Sequence, residues 1–272
     1  MIKKDTDSAR RRASVKKKIG RSEQSPLAAA QDLCFDAWDA SSPSERISLA
    51  KRALQISPDC ADAYVILANE AKSAKRRSEL YAQGVTAGER ALGPRTFEDN
   101  AGHFWGVTGT RPYMRARFGL AQSLWEMGRR DEAIGHCAEM LQLNPNDNQG
   151  VRYTLVRYLL EEDRDSDAED IMNFYGDGMI ADSVYSRLLL TFRKEGDSES
   201  ARSLLWSAVR HNYHVPAFLL GKKPLPRILP DEFTLGYESE AVCYAASSLS
   251  VWKKTPGALQ WLAKRLKWDS WE

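Results

Sequence analysis

Apolar positions recur at helical spacing along most of this chain. Leu120, Ala121 and Leu124 share one helical face, and Gly128 then marks a turn. Asp131, Glu132, Ala133 and Ile134 open a second helix that carries Met140, Leu141 and Leu143. Asn144-Pro145-Asn146-Asp147 ends it with residues that bond their own backbone in turns. Residues 111–148 therefore read as one helix–turn–helix unit. No run of period-two alternation bounded by hairpin turns stands out.

The same unit returns up and down the chain. Gly128 and Gly196 lie 68 residues apart, which is two periods of about 34. Leu120 to Leu188 and Ala133 to Ala201 repeat that step. A downstream unit spans 182–213, and one more fits between, over 148–181. Upstream, Ala53-Leu54, Ile56 and Pro58-Asp59 repeat the ending Met140-Leu141, Leu143 and Pro145-Asn146. Residues 61–92 make a further unit, with Tyr64, Leu67 and Ala68 and about one extra helical turn. Helix pairs at this period are the signature of the tetratricopeptide repeat (TPR). One pair cannot bury its apolar face alone, so successive pairs stack. The expected fold is all-α, a right-handed TPR-like α-solenoid of about five to six helix pairs.

Boundary residues agree. Ser42-Pro43-Ser44-Glu45 supplies an N-cap, a proline at the first helical position and a capping-box glutamate. Thr255-Pro256-Gly257 reads as a second start of that kind. Pro58, Pro94 and Pro145 read as residues past helix ends. Two stretches interrupt the array. Residues 94–110 are expected as an irregular loop around Gly102-His103-Phe104-Trp105-Gly106. Residues 221–236 hold Pro224, Pro226 and Pro230 and are expected to cross in extended form. A helix pair over 238–266 would then cap the open end. The organisation expected is a disordered basic arm over 1–25 and one helical-repeat domain over 26–270.

Composition changes this picture little. Of 272 residues, 43% are hydrophobic and 28% charged, which suits a thin continuous core. No run approaches a membrane span, and the first residues lack the apolar middle of a secretory signal. Cys34, Cys60, Cys137 and Cys243 are scattered without a CxxC, so small core residues of a reduced protein are expected, with no metal and no cofactor. A cytoplasmic location follows from these readings. Charge is uneven. Residues 1–25 carry a net +6, whereas the remainder carries −4. That arm could touch nucleic acid or an acidic partner through charge alone, although no aromatic residue is interleaved for base stacking.

In TPR arrays the first helices line the concave face. Positions 2, 5, 9 and 12 of a helix share one side. With units starting at Ala61, Met114, Asn148 and Asp182, those positions hold Asp62, Ser183 and Ser186 and the groove candidates Asn69, Lys72, Arg115, Phe118, Gln122, Trp125, Gln149, Arg152 and Arg193. Guanidinium forks match carboxylates, so the groove is expected to take an acidic or carboxylate-ended peptide, with Phe118 and Trp125 as apolar anchors. The competing expectation is that the apolar members are core and that the arginines pair internally, with Glu126, Glu161 or Glu162.

Catalytic signatures are lacking: there is no P-loop, G-x-G-x-x-G, HExxH or G-x-S-x-G. A non-catalytic interaction scaffold is the expected function. The alternatives are a small-molecule or enzymatic site in the loop, using His103, Trp105, Arg111 and Tyr113, and nucleic-acid association through the arm.

Several strings carry a family resemblance. Gly102-His103-Phe104-Trp105-Gly106, Thr110 with Arg111-Pro112-Tyr113-Met114-Arg115-Ala116-Arg117, and Leu143 through Asn148-Gln149-Gly150-Val151-Arg152-Tyr153 look like bacterial TPR-containing proteins of unassigned activity. His214-Val215-Pro216-Ala217-Phe218-Leu219-Leu220, Glu240-Ala241-Val242-Cys243-Tyr244 and Gly257-Ala258-Leu259 resemble the C-terminal part of the suppressor-of-tumorigenicity-seven family. The likeness covers 27–262. It implies a helical repeat protein that acts through partners, and it carries over no catalytic residue. Val107-Thr108-Gly109 departs from it, since a more acidic and bulkier link is expected there.

Overall fold

The computed structural model describes residues 24–176 and 178–267. The arm over 1–25 thus lies almost entirely outside the described residues. Among those described there is no strand, and every regular element is helical. The chain divides into two compact units. The first holds residues up to Asn100 together with Phe104–Ser123, and the second holds Ala101–His103 with residues from Leu124 onward.

The first unit begins with α1 (Pro26–Asp39), α2 (Pro43–Ile56), α3 (Ala61–Asn69) and α4 (Ala74–Asp99). Ser25, Ser42 and Ser73 each accept a bond from the backbone N–H three residues on, at 3.2 Å. These serines satisfy N–H groups that a helix start leaves orphaned, and Pro26 and Pro43 need no such partner. Helix α1 packs on α2, and α3 on α4. The contact stripe of α1 is Ala30, Cys34 and Ala37, spaced four and three apart. Ala50, Ala53, Cys60, Ala63 and Ile66 meet it, all buried. Small residues on both sides let the helix backbones come close.

The 94–110 stretch differs from its expectation. Gly93 adopts φ 67°, which breaks α4, and Pro94 then restarts helix as far as Asp99. Proline here opens a helical piece instead of following one. Two 3-10 turns follow, Phe104–Gly106 and Thr108–Thr110, and they lead into α5 (Arg111–Glu126). Phe97, Phe104 and Tyr113 form an aromatic cluster with ring centroids 5.0 to 5.9 Å apart. Thr110 donates its hydroxyl to the carbonyl of Val107 at 2.8 Å. The segment is packed down by these contacts.

One polar group sits under this unit. Asp62 is 0% exposed. Arg115 of α5 grips it with Nε at 2.8 Å and Nη2 at 2.6 Å, and Gln31 of α1 donates to it at 2.7 Å. Three helices are tied to one carboxylate.

The second unit continues with α6 (Arg130–Leu143), α7 (Val151–Glu161), α8 (Asp165–Tyr175), α9 (Ala181–Glu195), α10 (Glu199–His211), the short α11 (Val215–Leu219), α12 (Glu238–Lys254) and α13 (Ala258–Leu266). Asp147 caps α7, accepting from Val151 N–H at 2.7 Å and Arg152 N–H at 3.1 Å. Residues 220–237 carry no helix. Helix α12 then packs on α7 and α9 as well as α11. Glu240 explains the placement. It is 1% exposed and accepts from Ala181 N–H at 2.8 Å, Gly236 N–H at 2.8 Å and Asn212 Nδ2 at 2.9 Å. Burial alone would push its carboxyl up, but these donors hold it below the usual carboxylate range. Thr255 also departs from its expected role. Its hydroxyl donates to Val251 carbonyl at 2.9 Å and so closes α12, while Gly257 at φ 77° precedes α13.

Two stability outcomes are expected in the first unit. Arg115→Ala strands the buried Asp62 carboxylate and should cost about 3 kcal/mol in urea unfolding, whereas Asp62→Leu with Arg115→Met should cost clearly less. Gly88→Ala places a methyl group 2.9 Å from Tyr113 Cβ and 3.2 Å from its Cα, at a close α4–α5 crossing. That change should lower the urea midpoint by an amount equivalent to about 1–3 kcal/mol.

Candidate functional site

The expected groove residues divide between the units. In the first, Asn69 ends α3, and its Oδ1 accepts from Tyr81 hydroxyl at 2.5 Å. Lys72 falls beyond that helix, in the turn that Ser73 closes by capping α4. Arg115, Phe118 and Gln122 lie on α5, with Gln122 exposed and Phe118 half-buried. In the second unit, Trp125 stacks on Tyr158 at 3.7 Å with the rings nearly parallel, and Arg130 lies over its other side. Gln149 precedes α7 in a turn ending at Gly150, whose φ is 71°. Arg152 pairs with the buried Asp147 at 3.0 Å and lies over the rings of Tyr153 and Tyr175. Arg193 donates to Leu160 carbonyl at 2.7 Å and pairs with Asp163 and Asp165.

All three arginines therefore hold internal carboxylates, none of which is Glu126, Glu161 or Glu162. The carboxylates sit at or near helix starts, so each pair fixes one helix to another or to its own cap.

The loop residues part company as well. His103 is exposed and belongs to the second unit. Trp105, Arg111 and Tyr113 belong to the first. Arg111 donates through Nε to Trp105 carbonyl at 3.0 Å and lies over its ring. Tyr113 is buried and accepts from Arg117. Among the described residues, no three His, Cys, Asp or Glu side chains are grouped to hold a metal ion. No helix among them is long and apolar enough to cross a membrane.

A cavity of about 500 Å³ opens in the first unit, walled by α1, the start of α3, the later part of α4 and the start of α5. Phe35 and Trp38 of α1 line it, at 48% and 39% exposure, with ring centroids 5.8 Å apart. Arg111 and Arg115 line the α5 side, and Arg115 lies 5.0 Å from the Trp38 ring centre. Arg115 is already held by Asp62, while Arg111 forms no ion pair among the described residues. Asp32 adds one carboxylate to the α1 wall and accepts from Gln24.

Phe35 and Trp38 went unread, yet a signal for them exists. One period of about 34 residues upstream of Ala61 is Leu27. Positions 2, 5, 9 and 12 counted from Leu27 are Ala28, Gln31, Phe35 and Trp38, and all four line the cavity. The same face is treated differently in the second unit. There Val156, Leu159, Ser186 and Leu190 at those positions on α7 and α9 are buried, and Arg152, Ser183 and Arg193 are half-buried. Helix α12 packs on both helices, bringing the ring of Tyr244 within 5.5 Å of Tyr185.

A family model described as ST7 protein matches residues 17–193 and 178–271. The "suppressor of tumorigenicity 7 protein-like" of Bos taurus is 30% identical over 252 residues, covering 83% of this chain and 45% of that protein. Its Danio rerio counterpart is 29% identical, with 83% and 42% covered. The "suppressor of tumorigenicity 7 protein" of Macaca fascicularis is 28% identical, with 83% and 51% covered. The chain thus spans about half the length of the curated relatives it matches. These are animal proteins and lend no support to the expected bacterial group. Among solved structures the chain is similar to YrrB, described as a TPR protein with an unusual peptide-binding site. The TM-score is 0.45 at 18% identity, covering 73% of this chain and 90% of that one. On the family match and the 30% identity, this chain belongs to the suppressor of tumorigenicity 7 family.

Proposed function

We propose that this protein is a non-catalytic interaction module whose first unit captures a helical segment of a partner protein. One observation carries the reading: the first-helix face is open over a cavity of about 500 Å³ and presents Phe35 and Trp38 half-exposed. Two neighbouring aromatic rings rimmed by charged groups mark a binding face. The second unit supports the choice of a helix. Its own first helices α7 and α9 are packed by α12, which sets Tyr244 beside Tyr185 and itself buries Ala241, Ala245 and Ser248. A partner helix of that kind, with small residues flanking one or two large apolar ones, suits Phe35 and Trp38. Arg111 supplies a guanidinium for a carboxylate on the same segment. Acidity of the partner is thereby assigned to a single contact, in place of a row of arginines.

A peptide library displayed as helices and selected against the full chain tests this. Selected sequences should share a large apolar residue and an acidic neighbour. Phe35→Ala and Trp38→Ala should each weaken binding tenfold or more while the circular dichroism spectrum stays unchanged. Selected peptides that bind the double variant as tightly as the parent would exclude this groove as the site.

A further inference from the structure

Cys34 and Cys60 lie directly behind the wall of that cavity. Their Sγ atoms are 3.5 Å apart, and both residues are fully buried. Cys34 sits on α1 between groove-lining neighbours Gln31 and Phe35. Cys60 is the residue just before α3, between the groove-lining Asp59 and Ala61. A disulfide needs an S–S distance of about 2.05 Å, so the sulfurs must close by about 1.5 Å, which side-chain rotation can supply. The structure thus holds two facing thiols, one on α1 and one just before α3, 26 residues apart in the chain.

We propose that Cys34 and Cys60 are a redox-active dithiol, closed to a disulfide by exchange with a small-molecule disulfide of the glutathione class. The proposal is independent of what the groove binds. The environment assigns the order of events. The hydrogen bond shared with Cys34, and then the backbone N–H groups of Ala63 and Asp62, pull the Cys60 thiol below its ordinary range. The same shared bond, and then burial, push the Cys34 thiol up. Cys60 is the N-cap residue of α3, and a helix start favours a thiolate, so Cys60 is the first nucleophile. Its thiolate attacks one sulfur of the small disulfide, forms a mixed disulfide and expels one small thiolate. Cys34 then gives up its proton to solvent and attacks Cys60 Sγ. The Cys34–Cys60 bond forms, and the second small thiolate leaves. Two protein thiols are oxidised while one small disulfide is reduced to two thiols.

Entry requires α1 to open. Its contact stripe against α2 and α3 is Ala30, Cys34 and Ala37, flanked by the half-buried Leu27 and Leu33, and the Gln31–Asp62 bond breaks as it opens. Once formed, the bond ties α1 to the start of α3 and so fixes one wall of the cavity. Cys243 provides an internal comparison. It is half-buried, and its Sγ contacts a backbone carbonyl, that of Pro230. A small disulfide should leave it as a stable mixed adduct.

The test uses the full chain incubated with oxidised glutathione, alkylated, digested and mapped by mass spectrometry. The expected product is a peptide pair joined through Cys34 and Cys60, lighter by two hydrogens and separated by a dithiol reductant. In Cys34→Ser the glutathione adduct on Cys60 should persist. Oxidised parent should melt higher than reduced parent by roughly 4 °C or more, and the variant should show no such rise. Hydrogen exchange over 26–39 should slow in the oxidised parent alone. Cys60→Ser repeats the comparison should Cys34→Ser lose helicity. Modification at Cys243 with Cys34 and Cys60 still free, or carrying adducts without a joined peptide, overturns the proposal.

Discussion

A buried carboxylate constrains everything around it, because an unpaired charge out of water costs more than the packing it displaces can return. Asp62 imposes that constraint on the first unit. Its two oxygens draw Arg115 from α5 and Gln31 from α1, so three helices must meet at one point. The stacking of successive helix pairs is thereby locked in angle as well as in order. Arg115 is 31% exposed, so the pair is not sealed from water on the arginine side. That leaves its guanidinium plane free to lie near Trp38. The interaction that holds the helices together also sets the position of an aromatic ring on the open face.

Glu240 does the corresponding work in the second unit by a different route. Its partners are mostly neutral N–H groups: Ala181 at the start of α9, Gly236 at the end of the crossing, and the side chain of Asn212 after α10. Three chain segments that lack regular backbone partners are thus satisfied by one side chain. The proline-containing crossing can be irregular because its end is fixed here. Helix α12 then has one place to go, against α7 and α9. The result is a first-helix face filled from within.

Much of the fold was legible because its signals are local. The period of about 34 residues, the caps at Ser42 and Asp147, and the turns at Gly128 and Gly196 each depend on residues a few positions apart. The partners of the arginines were not legible. Asp62 and Arg115, 53 residues apart, share position 2 of their units, but that shared face does not say that they pair, and Arg193 and Asp163, 30 apart, share no position at all. Gly93-Pro94 misled for a related reason. Proline after a helix and proline at the start of the next look alike until the glycine's φ is known. Phe35 and Trp38 were legible in principle, since one further step of the period reaches them. They were passed over because α1 presents Ala30, Cys34 and Ala37 as its stripe, which is a weak apolar signal beside that of α9 or α10.

The weakness of that stripe bears on what the open face can do. Small residues line the contact of α1 with α2 and α3, with Leu27 and Leu33 half-buried beside them, and Phe35 and Trp38 are left exposed. An aromatic side chain buries about 150–250 Å² when fully covered, so each half-exposed ring leaves on the order of 100 Å² to a partner. At about 25 cal/mol per Å², that is roughly 2.5 kcal/mol for each ring. The loss of motional freedom on association is of comparable or larger size, about 4–15 kcal/mol. Two rings and one guanidinium cannot overcome that cost for a flexible peptide by much. A segment already helical before it docks gives up less. The face that α12 fills escapes most of the cost, because α12 belongs to the same chain. Preorganisation therefore separates a segment that would occupy the open face from one that would only visit it.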